Sequence, residues 1–259
     1  TSHPTAVFIG QSPIDIVARV DDAFLKRHGI MKQSMRIISP EISDMFRKEL
    51  PRIKLYPGGG AANAACAFQR IGGRAIYNGK VADDEFGRLF VESLKRSGVA
   101  YINELLHPFK PSDHIYIFVT DDNERSFAPC YGISSQISLD DLNTESIRKA
   151  DLLFLEGFLL NNEGGYQTLY NAARLARDHN TQVAFCPSDP SVISQHRDKI
   201  HNLFEYTDIL ILNAIEASTL YPGLPPEKIL NDIESNEDIG IGGSMTVYDM
   251  GLHNDLINK

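Results

Sequence analysis

Residues 56–65 read Tyr-Pro-Gly-Gly-Gly-Ala-Ala-Asn-Ala-Ala, so three consecutive glycines lead into an alanine-rich helical pattern with one amide side chain. Backbone without Cβ atoms can come close to a small polar ligand, and a helix start offers free N–H groups and a partial positive charge. The stretch therefore indicates a site for a polar small molecule. A turn followed by a tightly packed helix start would explain the same residues. The choice between a ligand site and a structural turn therefore depends on the rest of the chain.

Apolar runs and helical patterns alternate along the chain on both sides of this stretch. Short apolar runs predict buried strands at residues 6–10, 152–155, 182–186 and 209–212. Helical patterns are found at residues 39–50, 61–72, 86–97, 165–179 and 191–204. Such alternation is typical of parallel strands joined by crossovers, with helices on both faces of the sheet. The predicted fold class is α/β, with a doubly wound, mostly parallel sheet, and a hairpin over residues 114–127 predicts a smaller β element.

Composition narrows the class of partner. A formal net charge of −9 disfavours DNA or RNA, whose binding depends on clustered Lys and Arg. No apolar run reaches membrane-spanning length and the N-terminal residues show no secretory pattern, so we expect a cytoplasmic protein without a membrane partner.

The 259 residues are at the upper end of what one core supports, which favours a single domain over residues 1–259. The three cysteines are widely spaced and are expected to be reduced.

Polar side chains follow several of the predicted strands, among them Glu156 after residues 152–155 and Asp189 after residues 182–186. Asp15 comes after the first strand, and in open parallel sheets the ligand crevice lies outside the carboxyl ends of the strands. A turn or capping aspartate is the alternative. Asn213 and Glu216 are three residues apart at a strand-to-helix junction, where they would hold a hydrated Mg²⁺ or order phosphate-bound waters. A plain capping pair would explain them equally.

Several motifs occur in one order and carry a resemblance to a known family. Residues 10–16 resemble a G-N-x-x-x-D segment with Gln11 in place of Asn, and residues 58–63 fit G-G-x-x-x-N. Residues 79–87 fit G-x-V-G-x-D-x-F-G with Ala82 replacing a glycine, residues 124–127 resemble a lid strand, and Asn213 with Glu216 fits N-x-x-E. From about residue 6 to residue 216 the chain thus resembles the ribokinase/PfkB family of carbohydrate kinases, most closely its adenosine-kinase-like branch.

The resemblance implies a fold, a site and cofactors. The fold would be ribokinase-like, with a small β lid inserted from about residues 15–38 and 112–132. In the site, a sugar or nucleoside would be bound by the side chain or backbone of Asp15, Gly58, Gly59 and Asn63. Arg125 would approach from the lid to meet developing phosphate charge, and Asn213 with Glu216 would organise Mg²⁺ and phosphate. ATP and Mg²⁺ would be the cofactors, and lid strands would pair two copies in a homodimer.

The region after Glu216 departs from the family pattern. No G-A-G-D motif, which supplies the family's catalytic Asp base, is found there, so the C-terminal part of the usual fold is expected to be missing and no catalytic residue is identified. Only Gly240, Gly242 and Gly243 faintly resemble the family's nucleotide loop. The predicted function is ATP-dependent phosphotransfer to a hydroxyl of a sugar or nucleoside (adenosine- or ribose-like), with impaired transfer. The alternatives are an inactive sugar- or nucleoside-binding or regulatory protein, and a truncated copy of an active kinase.

A dinucleotide-binding oxidoreductase is a weaker interpretation of the glycine stretch. Asn63 stands where the third glycine of G-x-G-x-x-G belongs. No acid follows about twenty residues later at a strand end, where such a site contacts the ribose.

Overall fold

The main sheet consists of parallel strands only. A computed structural model describes residues 3–103, 110–224 and, as backbone, 246–249 of the chain. With strands numbered along the chain, the sheet contains β1 (Thr5–Ile9), β4 (Arg74–Asn78), β5 (Ala100–Tyr101), β8 (Leu152–Glu156), β9 (Gln182–Cys186), β10 (Ile209–Leu212) and β11 (Thr246–Asp249). Their order is β11-β10-β9-β8-β1-β4-β5, and every adjacent pair is parallel.

A second, mixed sheet packs beside the first. It contains β2 (Ile14–Arg19), β3 (Lys54–Pro57), β6 (His114–Val119) and β7 (Arg125–Cys130), in the order β3-β2-β6-β7. β2 pairs antiparallel with β3 and parallel with β6, and β6 and β7 form a hairpin. The side chains of Ile14, Ile16 and Ala18 point into the core, whereas Asp15 and Val17 are half-buried on the other face.

Helices cover both faces of the main sheet, as the alternating pattern predicted. They are α1 (Asp22–Arg27), α2 (Pro40–Glu49), α3 (Gly60–Arg70), α4 (Glu85–Arg96), α5 (Thr144–Lys149), α6 (Gly165–Asp178), α7 (Pro190–Phe204) and α8 (Ala214–Leu220). One apolar core lies under α5 to α8, and a second lies between the main sheet, α1 to α4 and the second sheet. The doubly wound α/β class is therefore confirmed.

The strand order reverses at β1, and this reversal locates a crevice. β4 and β5 lie on one side of β1, while β8, β9 and β10 lie on the other. The connections leaving the carboxyl ends of β1 and β8 therefore diverge, which opens a gap at this point of the sheet edge, where open α/β sheets bind ligands. Gln11 follows β1 there, and Glu156 ends β8.

Two sequence expectations need correction, and others fall on undescribed residues. Asp15 is not in the loop after β1, because the chain re-enters strand at Ile14 and Asp15 is the second residue of β2. The alanine-rich helix begins at Gly60 and ends at Arg70, before Gly72, whose φ is +100°. The predicted lid ranges contain three of the four strands of the second sheet, and the fourth is β3. The glycines Gly240, Gly242 and Gly243 lie outside the described residues.

None of the described helices has both the length and the apolar composition that crossing a bilayer requires.

Candidate functional site

The glycine stretch is held in place by a buried carboxylate at the carboxyl end of β8. Glu156 is only 1% exposed, and its side chain accepts hydrogen bonds from the backbone N–H groups of Gln11 (2.7 Å), Gly60 (2.7 Å) and Ala61 (3.2 Å). Burial raises the pKa of Glu156, and the three N–H donors partly offset this. The carboxylate thus joins the end of β1, the start of α3 and the end of β8.

This contact changes the expected role of the helix start. N–H groups at the beginning of α3 were expected to be free for a ligand, but those of Gly60 and Ala61 already donate to Glu156. A second anion at this helix start would be repelled by that carboxylate. The glycine stretch is therefore suited to a neutral polar group, such as a hydroxyl, rather than to a phosphate.

Asp15 is a desolvated carboxylate without a hydrogen-bond partner among the described residues. It is half-buried on β2, and burial alone raises its pKa from 3.8 to about 6. A carboxylate in such a position is costly unless something donates hydrogen bonds to it. A ligand with adjacent hydroxyls would do so, because each carboxylate oxygen accepts a hydrogen bond.

The glycines leave room for Asp15 and for the backbone. A Cβ atom on Gly58 would lie 2.8 Å from Oδ1 of Asp15. Gly59 has a φ of +92°, and a Cβ there would lie 2.7 Å from the carbonyl oxygen of Gln11. Both distances are too short for a side chain, and a positive φ of this size favours glycine. The structure thus brings Asp15 and Gly58 together, with Gly59 next to them against Gln11.

A cleft of about 410 Å³ opens beside these residues, between the second sheet and the edge of the main sheet. Its wall includes Gly59, Gly60 and Glu156 on one side and Ile115 on the other. Ile115 is the partner of Asp15 in the β2–β6 pairing, so the two side chains lie on the same face of the second sheet. Asp15 itself does not line the cleft, but two of its neighbours do: Ile115, its partner on β6, and Gly59, which follows Gly58.

Asn63 lies close to this group but not in the lining of the cleft. It is exposed on the first turn of α3, and together with Pro57 and Gly58 it lines an adjoining hollow between α3 and α4. Its side-chain amide makes no hydrogen bond to any described residue. Gly58 links the two places, because it contacts the Asp15 carboxylate and also borders the Asn63 hollow.

Arg125 lies farther out. It is exposed at the beginning of β7, two residues before Phe127, which lines the cleft. Alternation along a strand puts Arg125 on the same face as Phe127. Among the described residues no carboxylate lies within ion-pair distance of its guanidinium. The side chain is therefore available to an anion but does not border the cleft.

Asn213 and Glu216 form a capping box at the start of α8. The Asn213 side chain accepts from the Glu216 backbone N–H (2.9 Å), while the Glu216 carboxylate accepts from the Asn213 backbone N–H (3.1 Å) and side-chain amide (2.9 Å). Burial raises the pKa of Glu216, and the negative charge of Asp189 raises it further. The capping explanation left open by the sequence is thus sufficient for both residues.

Oxygen donors of this kind are compatible with Mg²⁺, which often binds through water. Within the described ranges, however, no group of three or more metal-ligand side chains is found.

Sequence reasoning recognised Glu156 as a polar residue at a strand end but did not assign it to the site. The acid comes one residue after the apolar run 152–155, at the carboxyl end of a buried strand. What the sequence did not show is that the start of α3 lies within hydrogen-bond distance of that strand end.

The pKa of Asp15 predicts how stability depends on pH. Because the folded chain raises this pKa from 3.8 to about 6, the folded state binds the proton more tightly than the unfolded state. The associated stability is complete below about pH 4 and is lost as the pH rises through about 6. In urea titrations without ligand, the free energy of unfolding of the wild type should fall relative to Asp15→Asn over this interval. A difference between the two proteins that does not change with pH would contradict the assignment.

The structure is that of an α/β protein with a cleft, lined by polar and apolar residues, at the switch point of its main sheet. Residues 29–235 match the family model described as pfkB family carbohydrate kinase, and the chain belongs to this family. The family predicted from the motifs is thereby confirmed.

Individual relatives point to two kinds of kinase. The chain is 27% identical to a probable fructokinase-3 of Arabidopsis thaliana over 187 residues. The aligned region covers 70% of this chain and 54% of that protein. The fold is similar to the crystal structure of adenosine kinase from Sinorhizobium meliloti, with a TM-score of 0.79 and 29% identity over 89% of this chain and 71% of that one. It is also similar to a probable sugar kinase from Rhizobium etli CFN 42, with a TM-score of 0.79 and 27% identity over 91% and 72% of the two chains. The chain spans about half the length of the curated relatives it matches.

Proposed function

We propose that this chain carries the acceptor site of a kinase that transfers a phosphoryl group from ATP to a hydroxyl of a sugar or nucleoside. The observation that carries the proposal is the desolvated Asp15 carboxylate, which lacks a partner among the described residues and lies beside Gly58 and Ile115, the second of which lines the cleft. Use of ATP follows from membership of a kinase family.

In this proposal the second sheet supplies the carboxylate that binds the ring, and the start of α3 supplies the glycine backbone on which the ring lies. Asp15 accepts hydrogen bonds from two neighbouring hydroxyls of the ring, and Gly58 and Gly59 let the ring lie against the backbone. Asn63 lies in the hollow that Gly58 also borders, and from there its amide would offer a donor and an acceptor to a ring that lies over Gly58. Glu156 does not bind the ring in this scheme, since it positions the glycine stretch that does.

Phosphoryl transfer depends mainly on positioning and on neutralising charge. Arg125 would supply positive charge when the second sheet closes over the cleft as a lid. Asn213 and Glu216 would hold Mg²⁺ through water, because their capping hydrogen bonds occupy only part of the capacity of their oxygens. Bound Mg²⁺ would neutralise phosphate charge near the acidic pair of Glu216 and Asp189.

Self-association would use the exposed edge of the second sheet. Residues 34–38 cover the β7 edge, with the Arg36 and Ile38 backbone N–H groups donating to Phe127 and Pro129. β3 forms the opposite edge, where Tyr56 is 49% exposed. Pairing of two such edges would give the homodimer predicted from the sequence. A cytoplasmic location remains part of the same proposal.

The proposal is tested by phosphoryl transfer and by binding, measured side by side. A coupled assay for ADP release with adenosine, fructose and ribose should show turnover with at least one acceptor, and calorimetry should show binding of the same acceptor. Binding without ADP release would favour the alternative of a binding or regulatory protein, or of a truncated kinase copy. Absence of binding for all three acceptors would contradict the proposed site.

A further inference from the structure

The connection between β1 and β2 is held from two sides at one residue. This connection, residues 10–13, leads directly into the strand that carries Asp15. The backbone N–H of Gln11 donates to the Glu156 carboxylate over 2.7 Å. The carbonyl oxygen of Gln11 accepts from the hydroxyl of Tyr77, also over 2.7 Å. Both polar groups of this main-chain unit are therefore bound, one by a side chain of β8 and the other by a side chain of β4.

The side chain of Tyr77 has little freedom to move. It is completely buried near the carboxyl end of β4, and its ring centroid lies 5.5 Å from that of Phe90 on α4. A Cβ atom on Gly79 would lie only 2.6 Å from its Cε1 atom, so the backbone packs directly against the ring. Burial raises the pKa of Tyr77 well above its ordinary value, and the negative charge of Glu156 raises it further, so the hydroxyl stays protonated as a donor. The buried hydroxyl of Ser12 lies 3.2 Å from it.

The glycine stretch rests on the same connection. The N–H of Gly58 donates to the carbonyl oxygen of Pro13 over 2.9 Å. A Cβ atom on Gly59 would lie 2.7 Å from the carbonyl oxygen of Gln11, which is the oxygen that accepts from the tyrosine. A shift of this oxygen would therefore displace the glycine backbone on one side and the start of β2 on the other.

We propose that Tyr77 is a positioning residue of the acceptor site, whose hydroxyl fixes the Gln11 carbonyl and thereby the placement of Gly59 relative to Asp15. The inference rests on the proposed function and adds to it a residue that contacts no ligand, because Tyr77 does not line the cleft. Glu156 and Tyr77 then act as a pair, with the acid holding the N–H side of the connection and the tyrosine its carbonyl side.

Tyr77→Phe tests this role, because it keeps the ring and removes only the hydroxyl. Tyr116 offers a matched control on the full chain. It is also completely buried, its hydroxyl donates to the carbonyl oxygen of Ser43 over 2.9 Å, and the Ser43 hydroxyl lies 3.3 Å away. Its neighbour on β2 is Ile16, so Tyr116 lies on the face of the second sheet opposite to Asp15.

The two variants should lose similar stability but differ in binding. Each loses one buried hydrogen bond, so their midpoints of thermal unfolding should fall by similar amounts. Calorimetry well below both midpoints, with adenosine, fructose and ribose as probes, should show about tenfold weaker binding for Tyr77→Phe and wild-type binding for Tyr116→Phe. Ser12→Ala, which removes only the neighbour of the tyrosine hydroxyl, should weaken binding less than Tyr77→Phe.

Amide hydrogen exchange of the ligand-free chain gives a second readout. In Tyr77→Phe the amides of residues 10–15 and 58–61 should exchange at least about fivefold faster than in the wild type, because their shared anchor is lost. In Tyr116→Phe the faster exchange should instead be confined to residues 40–47 and the β6 region.

The outcomes separate this inference from the proposed function. Equal losses of binding in the two tyrosine variants would overturn the inference, since the loss of any buried hydroxyl would then have the same effect. Wild-type binding and wild-type exchange of residues 10–15 in Tyr77→Phe would overturn it as well. A wild-type chain that binds none of the three probes would overturn the proposed function, and the exchange pattern would then support or overturn the positioning of this connection. If Tyr77→Phe does not fold, unchanged binding in Ser12→Ala would overturn the inference.

Discussion

Replacing Asp15 by alanine is expected to reduce acceptor binding by at least about 100-fold. The carboxylate accepts two hydrogen bonds from the ring in the proposed complex, and bonds to a charged group contribute about 1.5–3 kcal/mol each. The variant should nevertheless be at least as stable as the wild type near pH 7, because the desolvated carboxylate has no partner among the described residues of the free chain. Calorimetry gives the affinity, and thermal unfolding gives the stability.

A matched control for this experiment lies in the same sheet region. Asp121 is an exposed acid in the turn between β6 and β7, away from the cleft. Asp121→Ala should leave acceptor binding unchanged while altering the net charge by the same amount. Equal losses in the two variants would mean that overall charge, and not the Asp15 contact, governs binding.

Replacing Glu156 by alanine is expected to lower the free energy of unfolding by about 3–5 kcal/mol. Three backbone N–H groups, two buried and one part-buried, would lose their acceptor; each unsatisfied buried group costs about 1–3 kcal/mol, partly relieved by water entering the cleft. For a chain of this size the midpoint of thermal unfolding should fall by roughly 10 °C. Glu156→Gln, which keeps one carbonyl acceptor, should lose less.

The control for Glu156 is Glu163, an exposed acid seven residues farther along the chain. Glu163→Ala should change the unfolding midpoint little, because exposed surface substitutions usually alter stability by less than about 0.5 kcal/mol. If Glu156→Ala were as stable as Glu163→Ala, the carboxylate would not be holding the start of α3, and the positioning role would be wrong.

Much of the fold could be predicted from the sequence because its parallel strands are continuous apolar runs. The central residues of β8 and β9 are buried on both sides, and β10 is a continuous apolar run whose residues alternate between half-buried and buried, so all three patterns are easily recognised. β2 was harder, because it alternates between buried Ile14 and Ile16 and half-buried Asp15. β3 is only four residues long, ends in Pro57 and is followed by a glycine turn. The sequence pattern therefore does not identify it as an edge strand.

The site was predicted less completely, for reasons of long-range geometry. Local motifs were enough to bring Asp15 and Gly58 together, because both belong to short segments with recognisable spacing. The acceptor for the α3 N–H groups is 96 residues away from Gly60, and no local pattern encodes that contact. Asn213 and Glu216 show the opposite case, since N-x-x-E at a helix start describes a capping box as well as a phosphate site.

The central claim concerns one contact, and a crystal structure of the chain with bound adenosine or another acceptor measures it directly. The account predicts that two neighbouring ligand hydroxyls lie about 2.5–3.0 Å from the carboxylate oxygens of Asp15, with the ring against Gly58 and Gly59. A ligand bound elsewhere, or one in this cleft with its hydroxyls turned away from Asp15, would contradict the account.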